Sequence, residues 1–253
     1  MAEIPNRTLQ RGLAMLELLG AHPEGLALCE LDQALGLPRS TAFNLAHTLI
    51  HLGYASLQPD TGKYRLGLKM FEIGAQAMNQ VDVMEVLRGC MAEIHQKINE
   101  TMHLGVMSGT DTLYIDKLDS TQSIRMTSYI GSRAPLHCTA LGKALLSTLS
   151  DDEVCRMYGD APLEAVTPHS ITDMPALLGQ LERIRLRGYA VEREENNENV
   201  CCVGVPLRGK DGRALYALSV SAPIFRMGEK EIVNYAELLL EAQPRVERFL
   251  KNV

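Results

Sequence analysis

The sequence predicts a two-domain α+β chain: an N-terminal winged helix-turn-helix, a linker helix, and a C-terminal domain built on an antiparallel sheet. Three observations lead there. Short amphipathic helical runs flank a glycine turn between Leu35 and Pro38; two strand-like runs enclose a Pro/Gly turn soon after; and beyond residue 81 strand and helix patterns alternate without an internal repeat. A length of 253 residues, 46% of them hydrophobic and 22% charged, holds one large domain or two and is too apolar for a disordered chain.

Leu9, Leu13, Leu16 and Leu19 recur at helical spacing, which predicts a helix over 8–20 with one apolar stripe, ended by Gly20 and Pro23. Leu28, Leu31, Ala34 and Leu35 predict a second helix closed by Gly36. A third runs from Pro38 to Gly53 with Ala42, Leu45, Ala46, Leu49 and Leu52 as its inward stripe, so the helix-turn-helix spans about residues 28–52. Tyr54–Leu57 and Lys63–Leu66, on either side of Gln58-Pro59-Asp60-Thr61-Gly62, predict a hairpin wing. Leu68, Phe71, Ile73, Ala75 and Met78 predict a linker helix over 68–81, and another helix follows to about Asn99. Strands are expected at 102–108, 112–118, 123–130, 190–193, 202–208 and 214–221, with helices at 140–149, 151–158, 174–187 and from Gly228 onward. The expected boundaries are therefore 5–67 for the winged domain, 68–81 for the linker and 82–253 for the second domain.

A formal net charge of −6 excludes nucleic-acid binding by bulk charge. Residues 1–80 are nearly neutral, with six Lys/Arg against seven Asp/Glu, yet the cations gather at the start of the third helix and on the wing. Outward on that helix are Arg39, Ser40, Phe43, Asn44, His47 and His51, with Thr41 in the first turn. Helix N-termini favour phosphate, so Arg39, Ser40 and Thr41, with Arg65 of the wing, are phosphate candidates. Asn44 has the donor and acceptor that pair with adenine, and Phe43 suits a thymine methyl. Double-stranded DNA is the expected partner. The start, Met1 to Asn6, has neither a basic nor an apolar leader region, and the uncharged stretch Ser40–Pro59 is broken by Asn44, His47, His51 and Gln58. A cytoplasmic location and no membrane span are expected, with six reduced cysteines and no disulfide framework.

In the second domain, Asp211-Gly212 favours a two-residue turn in which Lys210 pairs with Arg213. That register sets Cys202 opposite Ser221 and Gly204 opposite Ser219, so one sheet face carries two hydroxyls and a thiol, while Leu218 and Val220 alternate onto the other.

The N-terminal run Leu35-Gly36-Leu37-Pro38-Arg39-Ser40-Thr41, with Leu52-Gly53-Tyr54 and Gly62-Lys63-Tyr64-Arg65-Leu66-Gly67, resembles the IclR family of bacterial transcription regulators. The resemblance covers the whole chain: Gly131, Pro135-Leu136-His137, Ala140, Gly142-Lys143-Ala144-Leu145-Leu146, Arg187-Gly188-Tyr189, Glu194-Glu195-Asn196, Cys202 and Val205-Pro206 follow in the family's order and spacing. It implies a non-enzymatic regulator, acting mainly as a repressor, that assembles as dimers or dimers of dimers on a pseudo-palindromic operator. It also implies a GAF-like effector-binding domain with a small-carboxylate pocket, whose residues fall here on Ala140, Leu141, Glu192, Cys202, Ser219 and Ser221. Asn44 stands where the family often has arginine, Phe43 where it has a smaller residue, and Glu192 where it has aspartate. Ala140-Leu141 is bulkier than the Gly-Ala of glyoxylate-responding relatives, and the longer acid at 192 suits ligand hydroxyls, so a sugar acid is the expected effector.

Two other chemistries compete. His137, Cys138, Cys201 and Cys202 are zinc-type or redox-type residues, but adjacent cysteines on a strand point to opposite faces and no C-x₂-C pair is present. Cys202 as nucleophile with His137 as base would make a hydrolase, yet no G-x-S-x-G, H-E-x-x-H or phosphate-loop pattern accompanies them. The acidic run from Glu192 to Asn199 lacks the glycine of a calcium loop and reads as a loop over the pocket mouth. No cofactor or metal is expected.

Overall fold

A computed structural model describes residues 6–78, 82–124, 126, 128–159 and 162–251. The leader reading at Met1–Pro5, residues 79–81 of the expected linker helix and positions 125 and 127 of the expected strand lie outside the described residues. The chain divides into two compact units, Met1–Val81 and Asp82–Val253.

In the first unit, Asn6 caps α1 (Arg7–Ala21), its side-chain oxygen accepting from the Leu9 N–H at 3.0 Å. α2 (Leu28–Leu35) opens with the Glu30 carboxylate on the Ala27 N–H and closes at Gly36, and α3 (Arg39–His51) follows. β1 (Ala55–Leu57) and β2 (Tyr64–Leu66) pair antiparallel as the wing, and Tyr64 also bridges to Leu26. Met15, Leu19, Leu26, Leu31, Ala42, Ala46, Ala55 and Tyr64 form the core. Two stripe expectations fail at their ends. Leu9 and Leu13 stay 60% and 52% exposed, the buried residues of α1 being Met15, Leu16 and Leu19 in its second half; and Leu52 is 54% exposed, because α3 stops at His51 and the chain turns before its periodicity continues. On α4 (Leu68–Met78), Leu68, Phe71 and Ile73 are likewise exposed.

The second unit is one antiparallel sheet between two helical layers. Its strands are β3 (Thr101–Ser108), β4 (Asp111–Leu118), β5 (Arg133–Pro135), β6 (Ala190–Arg193), β7 (Val200–Arg208) and β8 (Ala214–Pro223), in the order β5-β4-β3-β8-β7-β6. α5 (Asp82–Ile98) and α9 (Glu229–Leu250) cover one face, where Leu87, Met91 and Leu239 meet Leu104, Val203, Leu218 and Val220. α6 (Ala140–Leu146), α7 (Asp151–Tyr158) and α8 (Met174–Arg187) cover the other, around Leu145, Leu177, Leu181 and Ala217. The pleat of β8 therefore sends Leu218 and Val220 to one core and Ser219 and Ser221 to the opposite side.

The strand expected over 123–130 is not formed among its described residues, and the edge strand is β5 instead. Carbonyls that a neighbouring strand would have satisfied go to a side chain: the Lys117 ammonium donates to Met126 O and Ser128 O. Segment 120–122 is likewise tied to Asn99, through Ser120 Oγ and Thr121. The β7–β8 register pairs Cys202 with Ser221 and Gly204 with Ser219, but the turn differs from the two-residue expectation. Gly209 N–H donates to Arg213 O around a three-residue loop with Gly212 at φ 83°, and a bulge at Leu207/Arg208 cancels the extra residue. α6 also stops short of 149, because Ser147 and Thr148 hydroxyls bond back to Ala144 O and Leu145 O and Ser150 with Glu153 boxes the start of α7.

Candidate effector cavity and nucleic-acid face

β-Sheet register assembles a polar rung across three strands. Glu192 on β6 faces Cys202 on β7, which faces Ser221 on β8; the next rung on the same face runs through Ala190, Gly204, Ser219 and His103 on β3. α6 lies directly over these rungs because Gly204 has no side chain: a Cβ there would stand 3.0 Å from the Ala140 carbonyl carbon and oxygen. Between sheet and helix is a cavity of about 350 Å³, of the size that takes a small organic ligand. Ala140, Leu141, Glu192, Cys202, Ser219 and Ser221, the six residues expected to gather, all line it.

The electrostatics are set by burial. Glu192 is 1% exposed, and desolvation pushes its pKa up to about 7, against the Cys202 thiol and the Asn196 N–H, which favour the ionised form. Its Oε1 accepts from the backbone N–H groups of Glu195 at 2.6 Å and Asn196 at 3.2 Å, so half of this carboxylate organises its own loop. Desolvation also raises the Cys202 thiol well above its ordinary range. His103, buried against Tyr114 with ring centroids 5.1 Å apart, is pushed down to about 3 by burial and then by Lys117, and is a neutral imidazole. Thr139 caps α6 through the Gly142 N–H at 3.0 Å. First-turn N–H groups of a helix have no intrahelical acceptor, which gives Ala140 and Leu141 donors at the cavity wall.

His103, Tyr114, Ser128 and Thr139 line the same cavity and escaped the sequence reading. Thr139 carried a signal, a capping residue directly before the helix. His103 carried none locally: it joins the site only through the pairing of β3 with β8, which is remote in sequence.

The zinc-type residues are not brought together. Cys201 lies in the core beside α9, Cys202 lines the cavity, and His137 Nε2 meets Glu164 O at 2.9 Å. Among the described residues no group of three or more His, Cys, Asp or Glu is placed to hold a metal. His137, the base that the hydrolase reading gives to Cys202, does not line the cavity that the thiol faces.

On α3, Arg39, Ser40, Phe43, Asn44, His47 and His51 are exposed and Thr41 half-buried. Phe43 and His47 stack with centroids 4.0 Å apart, and His47 meets Tyr64 edge-on. Arg65 is less free than the sequence suggested: its guanidinium donates to Glu24 O at 3.1 Å, and a Cβ on Gly25 would stand 2.8 Å from its Cγ. Among the described residues, no helix is long and apolar enough to cross a membrane.

The model of the IclR C-terminal domain of bacterial transcriptional regulators matches residues 75–248, and that of the IclR helix-turn-helix domain matches residues 8–59. The chain belongs to the IclR family. Among curated members it is 32% identical to the transcriptional regulator XynR of Escherichia coli K12 over 96% of this chain and 97% of XynR. KdgR of the same organism is 34% identical over 92% of this chain and 88% of KdgR. The crystal structure of Thermotoga maritima IclR superposes with a TM-score of 0.80 at 29% identity, covering 96% and 98% of the two chains. That of an IclR homolog from Microbacterium hydrocarbonoxydans complexed with 4-hydroxybenzoate gives a TM-score of 0.84 at 24% identity, covering 97% of this chain and 100% of the other. This IclR-family chain is thus a transcriptional regulator rather than an enzyme, with a helix-turn-helix DNA-binding domain and a C-terminal ligand-binding domain.

Proposed function

We propose that this regulator is a cytoplasmic repressor whose operator binding is controlled by a small hydroxylated carboxylate, of the sugar-acid class, held in the cavity between α6 and the sheet. The observation that carries the reading is the cavity itself. Two serine hydroxyls and the first N–H groups of α6 offer donors to a carboxylate, and the Glu192 carboxylate, whose own loop uses Oε1, accepts from ligand hydroxyls. The 4-hydroxybenzoate of the Microbacterium homolog is itself a hydroxylated carboxylate. Ala140, Leu141, Glu192, Cys202, Ser219 and Ser221 form the effector site.

DNA is held by Arg39, Ser40, Thr41 and Arg65 on phosphates and read by Asn44, Phe43 and His47 in the major groove. A two-fold dimer, or a pair of dimers, sets two such helices on the half-sites of a pseudo-palindrome. Effector binding shifts the population between assemblies that span both half-sites and those that do not, through its differential affinity for the two.

The test is thermal unfolding of the full chain against sugar acids, 2-keto acids and aromatic acids. At about 100 times its dissociation constant an acid adds roughly 2.7 kcal/mol of stability, a shift of several degrees. A hydroxylated acid that raises the transition and releases DNA in a gel-shift assay supports the reading. No response to any acid, or an unchanged response in Ser221→Ala and Glu192→Gln, overturns it.

A further inference from the structure

Each ring nitrogen of the buried His103 meets a hydroxyl: Nε2 lies 2.6 Å from Ser128 Oγ, and Nδ1 lies 3.3 Å from Ser221 Oγ. The ring is neutral. A neutral imidazole has one N–H and one lone pair, so the two hydroxyls are not served alike: one accepts from the ring and the other donates to it. Which is which decides whether Ser221 keeps its own proton for something else.

Across the strands the line continues past Ser221 to the Cys202 thiol opposite it and from there to the Glu192 carboxyl opposite Cys202, each pair polar neighbours on one face of the sheet. An ionised carboxylate only accepts. With such an end, reached once pH rises past about 7, the sense of the whole chain follows. Cys202 S–H donates to Glu192, Ser221 O–H donates to the Cys202 sulfur, His103 Nδ1–H donates to the Ser221 oxygen, and Ser128 O–H donates to His103 Nε2. The opposite sense would turn sulfur lone pairs toward the buried carboxylate and commit the Ser221 proton to the ring.

We propose that His103 is a positioning and specificity-determining residue: held as its Nδ1–H tautomer by the Ser128 hydroxyl and by ionised Glu192 at the far end of the chain, it keeps the Ser221 proton aimed away from the ring and available to an anion. The ligand half of this inference rests on the effector reading above. When a carboxylate enters, Ser221 O–H turns from a weak sulfur acceptor to a charged oxygen, while the Nδ1–H bond on its own oxygen stays in place. A ligand that offers only donors gains no such exchange. Ser128 does its part from a segment whose backbone carbonyls Lys117 pins, through Met126 O at 3.1 Å and Ser128 O.

The tautomer is measurable without any ligand, by nitrogen-15 NMR of the full chain at about pH 8, where Glu192 is mostly ionised, with the His103 signals assigned by their loss in His103→Gln. A protonated Nδ1 and an unprotonated Nε2 are expected. An Nε2–H ring or an imidazolium overturns the proposal. In Ser128→Ala the Nδ1–H population falls and the dissociation constant of the best-binding acid of the panel rises about tenfold. Ser128→Thr, which keeps the hydroxyl, restores both; an Ala variant that binds the acid as well as wild type overturns the positioning role. If no acid binds while the free ring is Nδ1–H, the effector reading and the ligand half of this proposal fall together and the hydrogen-bond sense stands. If an acid binds and the ring is Nε2–H, the proposal falls and the effector reading stands.

Discussion

The ammonium of Lys143, with no exposure to solvent, touches both carboxylate oxygens of Glu195, at 2.6 and 2.8 Å, and Gln180 Oε1 at 2.8 Å. Glu195 in turn donates its N–H to Glu192, and its carbonyl accepts from the Thr167 and Ser170 hydroxyls. One buried cation thus fixes the loop that carries the acid side of the cavity.

Removing one partner of a buried pair leaves an uncompensated charge, at a cost of about 3–5 kcal/mol, whereas replacing both by apolar groups is far milder. Lys143→Met should therefore lower the unfolding temperature of the second unit on the order of 10 °C. The double variant Lys143→Met with Glu195→Leu should recover most of that loss in calorimetry. Equal losses in single and double variants would show that the pair's packing, not its charge, matters.

Glu192 makes stability depend on pH with a sign opposite to most carboxylates. Its folded pKa, about 7, lies above the ordinary value of 4.5. Between these two values the native state binds the extra proton, so the contribution is fully present below the lower value and is lost as pH rises through the upper one. The loss is on the order of 3 kcal/mol. Urea unfolding of wild type minus Glu192→Gln across that window should show this falling difference, and a flat one would mean the carboxyl is solvated.

Gly204→Ala places a methyl 3.0 Å from the Ala140 backbone, which has no side-chain freedom with which to yield. α6 must lift or the strand must shift, at about 1–3 kcal/mol. A lower midpoint in denaturant together with weakened acid binding is expected; unchanged acid affinity would mean that the helix start does not shape the cavity.

On DNA, Asn44→Ala should cost about 1–3 kcal/mol at one base position and leave other positions alone. Arg39→Ala should instead weaken all sites alike and reduce the salt slope by about one. Binding-site selection on both variants separates the two, and the same loss of sequence preference from each would refute the division of labour.

Local chemistry made most of the elements legible. Gly36 and the Pro/Gly turn of the wing act within a few residues, and the ends of α2 and of the hairpin strands follow them closely. The cavity was readable as far as one hairpin reaches: β7 and β8 share a turn, so Cys202, Ser219 and Ser221 come out on one face. That held although the turn has three residues, because the bulge at Leu207/Arg208 takes back what the loop adds. His103 and Ser128 were not readable, since they depend on a pairing across more than a hundred residues and on a lysine that replaces a strand. Nor does periodicity alone say where a stripe ceases to be covered, as Leu9, Leu13 and Leu52 demonstrate.

The pleat of β8 separates two properties that usually trade against each other. Leu218 and Val220 belong to the core shared with α5 and α9, and Ser219 and Ser221 to the cavity. Ligand preference and thermal robustness are therefore written on alternate letters of one strand. A randomised library confined to positions 192, 202, 219 and 221 should yield many folded variants with new ligand tastes, whereas the same diversity shifted by one residue should yield few that fold.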